Sequence, residues 1–142
     1  FFIFLTSLNV DEKNIAIIFT RLSEIFHLQN FQFKIMQRQT DKEGRGILNL
    51  KKSYVLAHTN LKNKSITIDI YTPRHRKSKS LKSILNILAH EIAHHQKPPF
   101  RQIWRGRIIA RRHYPEFYEQ VNKNIEKIKS DKILKQYYFF NG

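Results

Sequence analysis

Cysteine is absent from the 142 residues of the chain. Disulfide bonds, cysteine-based zinc ribbons, iron–sulfur clusters and thiol nucleophiles are therefore excluded. Any transition-metal site must use histidine and carboxylate ligands. A chain without disulfides is compatible with a reducing compartment, and we predict a cytoplasmic location on that basis.

Acidic residues are few, since 11 Asp and Glu stand against 26 Lys and Arg, and the formal net charge is +15. Such an excess attracts polyanions without sequence preference, although a coding bias toward lysine would give the same composition. The most concentrated basic run predicts nucleic-acid contacts by Arg74, Arg76, Lys77 and Lys79. Further phosphate contacts would come from a second set of arginines: Arg101, Arg105, Arg107, Arg111 and Arg112.

Long apolar runs are also missing from the sequence. Residues 1–10 are mostly apolar but too few to cross a bilayer, so we expect no membrane partner. No basic segment precedes them and no small-residue cleavage site follows, as a signal peptide would require. Because the chain begins with Phe, we interpret residues 1–10 as the remnant of a longer N-terminus, with a buried strand as the alternative.

Hydrophobic residues make up 41% of the chain and aromatic residues 13%, which suits one domain with one core. The order of patterns predicts a single α+β domain over residues 1–142. We expect a small, mostly antiparallel sheet packed against one helix and closed by C-terminal helices. Apolar spacing and turn residues predict a first helix at 11–28, followed by strands at 31–35, 53–59 and 65–71 with a loop at 40–46. A second helix is predicted from Ser78 or Ser80 to His95, followed by a helix-like stretch at 100–112. The chain then continues with a helix from Pro115 and a tail at 129–142.

An H-E-x-x-H motif, His90 to His94, lies inside the predicted helix that ends near His95. Residues four apart share one helix face, so His90 and His94 can bind one metal ion. Glu91 is rotated by about 100° from His90 and can instead take a proton from a metal-activated water. This division of roles is typical of zinc-dependent peptide hydrolysis. The alternative is a solvated helix face that merely carries His and Glu.

A catalytic zinc usually has a third protein ligand, and several residues qualify. His113 is favoured because it lies at an element junction just before Pro115, where the chain can turn back toward the motif helix. Glu116 is the main alternative, and Glu119 is a further one. Other histidines are less favoured: His95 because it points about 100° away from His94, His58 because it falls on a strand, and His75 because it falls in the basic loop.

The motif, the 18-residue gap to His113 and the following Glu116-Phe117 resemble the SprT-like (Spartan-type) zinc metalloprotease domain. That family has a compact zincin-like fold, and its third histidine comes from a downstream H-G-x-x-F/W segment. The resemblance implies that an edge strand, here residues 65–71, receives the substrate backbone. It further implies a Zn²⁺ ion with Glu91 as the general base and three histidine ligands: His90, His94 and His113.

Two features depart from the family pattern. Tyr114 stands where the family has glycine, and the cysteine-based zinc ribbon that often follows such domains is absent. The specific matches are confined to residues 84–117. The best-known members cleave proteins bound or crosslinked to DNA, and the net charge of +15 agrees with that role.

Other hypotheses remain open from the sequence. One similar family of small cytosolic metallohydrolases follows its motif with an N-H-S-x-x-F-W segment, but residues 97–104 carry only the aromatics. A basic nucleic-acid-binding module with a structural or vestigial metal site is a different class, and a regulatory metalloprotease with one dedicated protein substrate is a third. For the protease, Tyr114 or His95 would supply an oxyanion donor. Phe100 and Trp104 are expected to lie in the core.

Overall fold

The computed structural model describes residues 10–36, 57–71 and 77–139. Their elements follow in the order α1 (Val10–Ile25), β1 (Gln32–Ile35), β2 (Ala57–Asn60), β3 (Ser65–Ile68), α2 (Leu81–Gln96), β4 (Phe100–Trp104), β5 (Arg107–Arg111), α3 (Pro115–Ser130) and α4 (Leu134–Tyr138). No helix in these ranges has both the length and the apolar character needed to cross a membrane. Residues 1–9, the loop predicted at 40–46 and the start of the strand predicted at 53–59 lie outside the described residues.

A three-stranded sheet has the order β1-β3-β2, with β1 parallel and β2 antiparallel to β3. Ile66 and Ile68 of the central strand are fully buried, because the sheet packs with α1 and α2 in one apolar core. The stacked rings of Phe19 and Phe33, with centroids 4.9 Å apart, join α1 to β1. The predicted α+β fold with a small, mostly antiparallel sheet is confirmed.

Helix α2 carries the H-E-x-x-H motif across the core. Ser80 caps it, since the Ser83 N–H donates to the Ser80 hydroxyl over 3.2 Å. Its buried stripe at helical spacing, which includes Ile84, Leu88 and Ile92, faces the sheet and α1. The helix ends at Gln96, ahead of the two prolines that prevent its continuation. The stripe therefore leaves the motif histidines on the opposite side of α2.

Residues 100–112 form a β-hairpin, so the prediction of a helix-like stretch there was wrong. Strands β4 and β5 pair in antiparallel register from Phe100 opposite Arg111 to Trp104 opposite Arg107. The two residues of the turn, Arg105 and Gly106, have φ of 50° and 75°. Positive φ at both central residues is what a tight hairpin turn of type I′ requires. Phe100 and Trp104 were expected in the core, yet both are exposed.

Helices α3 and α4 close the domain over α2. Pro115 occupies the first turn of α3, where its missing N–H costs nothing. The predicted C-terminal tail contains the short helix α4, whose Leu134 and Tyr138 are buried. The Tyr138 hydroxyl donates to the Asn86 side-chain oxygen over 2.9 Å and ties α4 to the motif helix.

Candidate metal centre

Three histidine side chains meet at the open face of α2. His90 and His94 come from one turn of this helix, and His113 comes from the junction between β5 and α3. The ring centroids lie 4.9 Å apart for His90–His94, 5.2 Å for His90–His113 and 4.9 Å for His94–His113. One nitrogen from each ring lies within 4.8 Å of the other two. The three side chains are close enough to hold one metal ion.

The ring of Phe117 forms the floor under these histidines. It is fully buried in the first turn of α3, and its centroid lies 4.9, 4.5 and 5.1 Å from those of His90, His94 and His113. An aromatic ring packed against all three imidazoles restricts their rotation without competing for their nitrogens. Phe117 therefore orients the cluster.

Asn124 links α3 to α2 behind the histidines. Its side chain is 1% exposed, and its amide donates to the Ala89 carbonyl over 3.1 Å and to the Gln96 side-chain oxygen over 2.7 Å. Gln120 in turn donates to the Asn124 oxygen over 3.0 Å. The buried amide thus has its hydrogen bonds satisfied only while the two helices keep this spacing. The sequence alone did not indicate this role.

Glu91 lies beside the histidines with 8% of its surface exposed. Burial raises the pKa of its carboxyl to about 7, because the charged form loses hydration. It lines the same cleft as the three histidines, so its proton can exchange with a ligand held there. A carboxyl with a pKa near neutrality can both accept and release a proton at physiological pH.

Burial and mutual repulsion keep the motif histidines neutral. The pKa of His94 is lowered to about 4, first by burial and then by the charges of His90, His113, His95 and Arg112. The pKa of His90 is lowered by burial and by His113. Metal binding requires neutral imidazoles, so no proton has to be displaced from these two rings at neutral pH.

A cleft of about 600 Å³ opens above the cluster, between α2 and the sheet. Residues 57–61, which comprise β2 and the start of the following turn, line it together with Pro99 and Arg112. The sequence predicted that residues 65–71 would be the edge strand at the site, which was wrong. Strand β3 lies in the middle of the sheet, and β2 is the strand at the cleft.

His95 does not join the cluster. Its Nε2 atom forms a hydrogen bond with the Thr59 hydroxyl, and its ring meets that of Phe31 edge-on at 4.6 Å. Because the Thr59 hydroxyl donates its single hydrogen to the Ser65 carbonyl over 3.1 Å, the histidine Nε2–H must be the donor. His95 therefore ties β2 to the motif helix and cannot serve as the oxyanion donor suggested from the sequence.

The other residues considered from the sequence also lie outside the cluster. The Tyr114 hydroxyl donates to the Pro98 carbonyl over 2.9 Å, which removes it as an oxyanion donor and fixes the base of the hairpin instead. Glu116 and Glu119 are exposed on α3 and do not join the histidines. His58 lines the cleft without belonging to the cluster. His75 lies outside the described residues.

The basic residues predicted to contact nucleic acid do not form one described surface. Arg74 and Arg76 lie outside the described residues. Lys77 is exposed, whereas the Lys79 ammonium donates to the Asp69 carbonyl over 2.6 Å. Lys79 thus has an internal structural contact, and the role of the run in nucleic-acid binding stays a prediction.

Comparison with known proteins identifies no relative of the chain. No protein-family model, no curated protein and no solved structure matches the chain. Function must therefore be argued from the cluster itself. Its donor set of three imidazoles, with a carboxyl alongside and no thiolate available, suits an ion that accepts nitrogen ligands, such as zinc.

Proposed function

We propose that the chain is a zinc-dependent metallopeptidase that hydrolyses peptide bonds with Glu91 as general base. The observation that supports this most directly is the convergence of three imidazole nitrogens within 4.8 Å beside a buried carboxyl in an open cleft. A structural zinc site has four protein ligands and is closed, whereas a catalytic one has three and an open position. Among the described residues, the three histidines and the cleft match the second arrangement.

His90, His94 and His113 would hold the metal through one nitrogen each. Zinc bound there supplies a Lewis acid that polarises a carbonyl group and acidifies water. Because all three ligands are neutral, they leave the charge of the ion undiminished. Phe117 holds their rings in place from below, at 4.5 to 5.1 Å.

Glu91 would move the protons of the reaction. Its raised pKa of about 7 suits a group that first accepts a proton from the attacking water and then donates it to the leaving amine. Glu91 follows His90 on the same helix turn, so its carboxyl lies beside the metal ligands without being one of them. The base and two of the three ligands are therefore fixed by one element, α2.

Strand β2 would align the substrate. Residues 57–61 line the same cleft as the three histidines, so an extended peptide could run along this strand across the histidines. Main-chain hydrogen bonds to a strand edge bind a peptide with little dependence on its side chains. The bond from His95 to Thr59 keeps β2 in position for that role.

The SprT-like assignment is part of this proposal and rests on the motif, on His113 and on the aromatic at position 117. Substrates associated with DNA would agree with the charge of +15, whereas one dedicated protein substrate would need a specific docking surface. A nucleic-acid-binding module with a structural metal site is the alternative of a different class.

The variant Glu91→Gln tests the peptidase against that alternative. We expect hydrolysis of a fluorogenic protein substrate to fall by about a hundredfold or more, because the general base is removed. Bound zinc, measured by elemental analysis, should remain near the wild-type level. Glu116→Gln is the matched control, since Glu116 is an exposed glutamate outside the cluster. Wild-type protein that binds no zinc, or equal hydrolysis in both variants, would overturn the proposal.

A further inference from the structure

The β4–β5 hairpin exposes an unusual amount of apolar surface. Ile103 and Ile108 face each other across the strands and are 75% and 71% exposed. Trp104, next to the turn, is 51% exposed. Soluble proteins seldom expose such side chains together unless a partner covers them.

The same hairpin is strongly basic. Five arginines lie between residues 101 and 112, and no acidic residue occurs between Glu91 and Glu116. Arg101 is exposed on the same face as Ile103 and Ile108, whereas Arg107 is exposed on the opposite face with Trp104. A partner that fits this surface must combine negative charge with apolar groups.

The strand edges of the hairpin are open as well. Within the described ranges, β4 and β5 pair only with each other. A two-stranded hairpin is marginally stable in water and gains stability when a third strand is added. An extended polypeptide can supply such a strand through its backbone, a binding mode that nucleic acids lack.

Both ends of the hairpin reach the metal centre. Pro99, just before β4, and Arg112, just after β5, line the cleft, and His113 follows directly. The hydrogen bond from Tyr114 to the Pro98 carbonyl and the contact of the Tyr114 and Phe100 rings at 5.0 Å anchor this base. A chain bound along the hairpin would therefore continue into the cleft.

We infer that the β4–β5 hairpin is the docking surface for an acidic segment of the protein substrate that also carries apolar side chains. This inference rests on the proposed peptidase function and names its substrate class. Side chains of an extended segment alternate between two faces, so acidic ones pair with Arg107 on one face while apolar ones cover Ile103 and Ile108 on the other. The hairpin thus selects substrates by a segment of the substrate chain that does not contain the cleaved bond.

Nucleic acid fits this surface less well. The guanidinium groups of Arg105 and Arg111 lie 5.7 and 5.9 Å from the centroid of the Trp104 ring. Arg111 also donates to the Gln102 side chain over 2.9 Å. The one tryptophan is thus engaged with two cations instead of offering open faces for base stacking. The aliphatic pair and the open strand edges favour a polypeptide.

Trp104 makes the inference measurable, because it is the only tryptophan in the chain. Its fluorescence reports on binding at the hairpin and nowhere else. The zinc-loaded full chain carrying Glu91→Gln is titrated with a peptide that alternates Glu and Leu, with the same peptide carrying Lys for Glu, and with duplex DNA. We expect a saturable change with the acidic peptide and none with the basic one.

Two hairpin variants and one control locate the binding. Arg107→Glu should weaken binding of the acidic peptide by about tenfold or more, since an attractive contact becomes repulsive. Ile103→Ser with Ile108→Ser should also weaken it, without any change in charge. Lys123→Glu is the charge-matched control at an exposed site on α3, and it should leave the affinity within about twofold.

Three outcomes would overturn the inference. The control variant could weaken binding as much as the arginine variant does, which would mean that the peptide is held by general charge attraction and not by the hairpin. The acidic peptide could bind without moving the Trp104 fluorescence, which would place it elsewhere. DNA could bind at the hairpin where the peptide does not, which would make the surface a nucleic-acid site.

Hydrolysis by the wild-type chain separates this inference from the proposed function. If a short uncharged peptide is cleaved equally by the wild type and the arginine variant, and an acidic protein substrate is too, the peptidase stands and the docking surface fails. If the acidic peptide binds at the hairpin but no substrate is cleaved, the surface stands and the peptidase fails.

Discussion

The side-chain amide of Asn124 in α3 donates a hydrogen bond of 3.1 Å to the carbonyl of Ala89, the residue immediately before His90. Helix α3 begins two residues after His113, so this bond fixes the third histidine relative to the first two. The donor is 1% exposed and therefore has no water to replace the carbonyl. The geometry of the histidine cluster depends on a buried contact outside it.

The variant Asn124→Ala should affect stability and metal binding together. Loss of the buried hydrogen bonds is expected to lower the free energy of unfolding by about 2 kcal/mol in urea titrations of the metal-free protein. Zinc affinity, measured by competition with a chelator, should fall by about tenfold because the ligands lose their support. Asn122→Ala, an exposed site on the same helix, is the control. Unchanged zinc affinity in Asn124→Ala would show that Phe117 alone orients the cluster.

The identity of the third ligand is tested by His113→Ala against His58→Ala. Both side chains line the cleft, but only His113 belongs to the cluster. We expect His113→Ala to lower zinc affinity by about a hundredfold or more, since two histidines cannot complete the site. His58→Ala should bind zinc as the wild type does.

Comparable zinc binding by the wild type and His113→Ala would contradict this assignment. It would also remove the residue that carries most of the resemblance to SprT-like proteases downstream of the motif. Circular dichroism of both variants separates loss of a ligand from loss of the fold, because His113 is exposed and its removal leaves the core intact.

The sequence was informative wherever one periodicity decided the structure. The apolar stripe of α2 and the four-residue spacing of His90 and His94 predicted the motif helix and its open face. His113 followed from its place at an element junction, because Pro115 begins a helix and the chain can turn back toward α2 just ahead of it. These features depend on residues that are close together in the sequence, so the sequence pattern is sufficient to predict them.

Long-range pairing was less predictable. Residues 100–112 carry apolar residues at spacings that suit a helix, yet Arg105 and Gly106 form a tight turn and the strands pair. An Arg-Gly pair is a weaker hairpin signal than Asn-Gly, so the turn was not recognised. Strand order depends on partners far apart in sequence, which is why β2 instead of β3 lies at the cleft.

The bond between His95 and Thr59 predicts a variant that impairs substrate binding more than chemistry. His95→Phe keeps a ring against Phe31 but removes the donor to Thr59, so β2 is held less firmly beside the cleft. A lost hydrogen bond of about 1 kcal/mol should raise KM for a peptide substrate by about fivefold. We expect kcat and zinc content to change little.

Thr59→Val provides the matched test from the other side of this contact. If the two residues act through their shared hydrogen bond, the double variant should have nearly the same KM as His95→Phe alone. If the effects of the two single variants on KM instead add fully in the double variant, the shared role is contradicted. A large fall in kcat would instead indicate that His95 acts in the chemistry.

A final prediction concerns acid stability and rests on Asp131, at the junction of α3 and α4. Arg21 of α1 donates to both carboxylate oxygens, with its nearest nitrogen at 2.6 Å, and the N–H groups of Ile133 and Leu134 also donate to this side chain. The hydrogen bonds from Arg21 lower the pKa of Asp131 most, and those from the two backbone groups lower it further. The carboxylate therefore links α1 to the junction of α3 and α4.

Because the pKa of Asp131 is lower in the folded state than its ordinary value of 3.8, the unfolded chain binds this proton more readily. The stabilisation that the ionised Asp131 carboxylate contributes is present above pH 3.8, and it is lost as the pH falls through the lower pKa of the folded state. Asp131→Asn should reduce the melting temperature at pH 7 and flatten its decline in acid. Glu24→Gln removes the exposed partner of the same arginine and should change neither property much. An acid-induced loss of stability as steep in Asp131→Asn as in the wild type would assign the effect to other carboxylates.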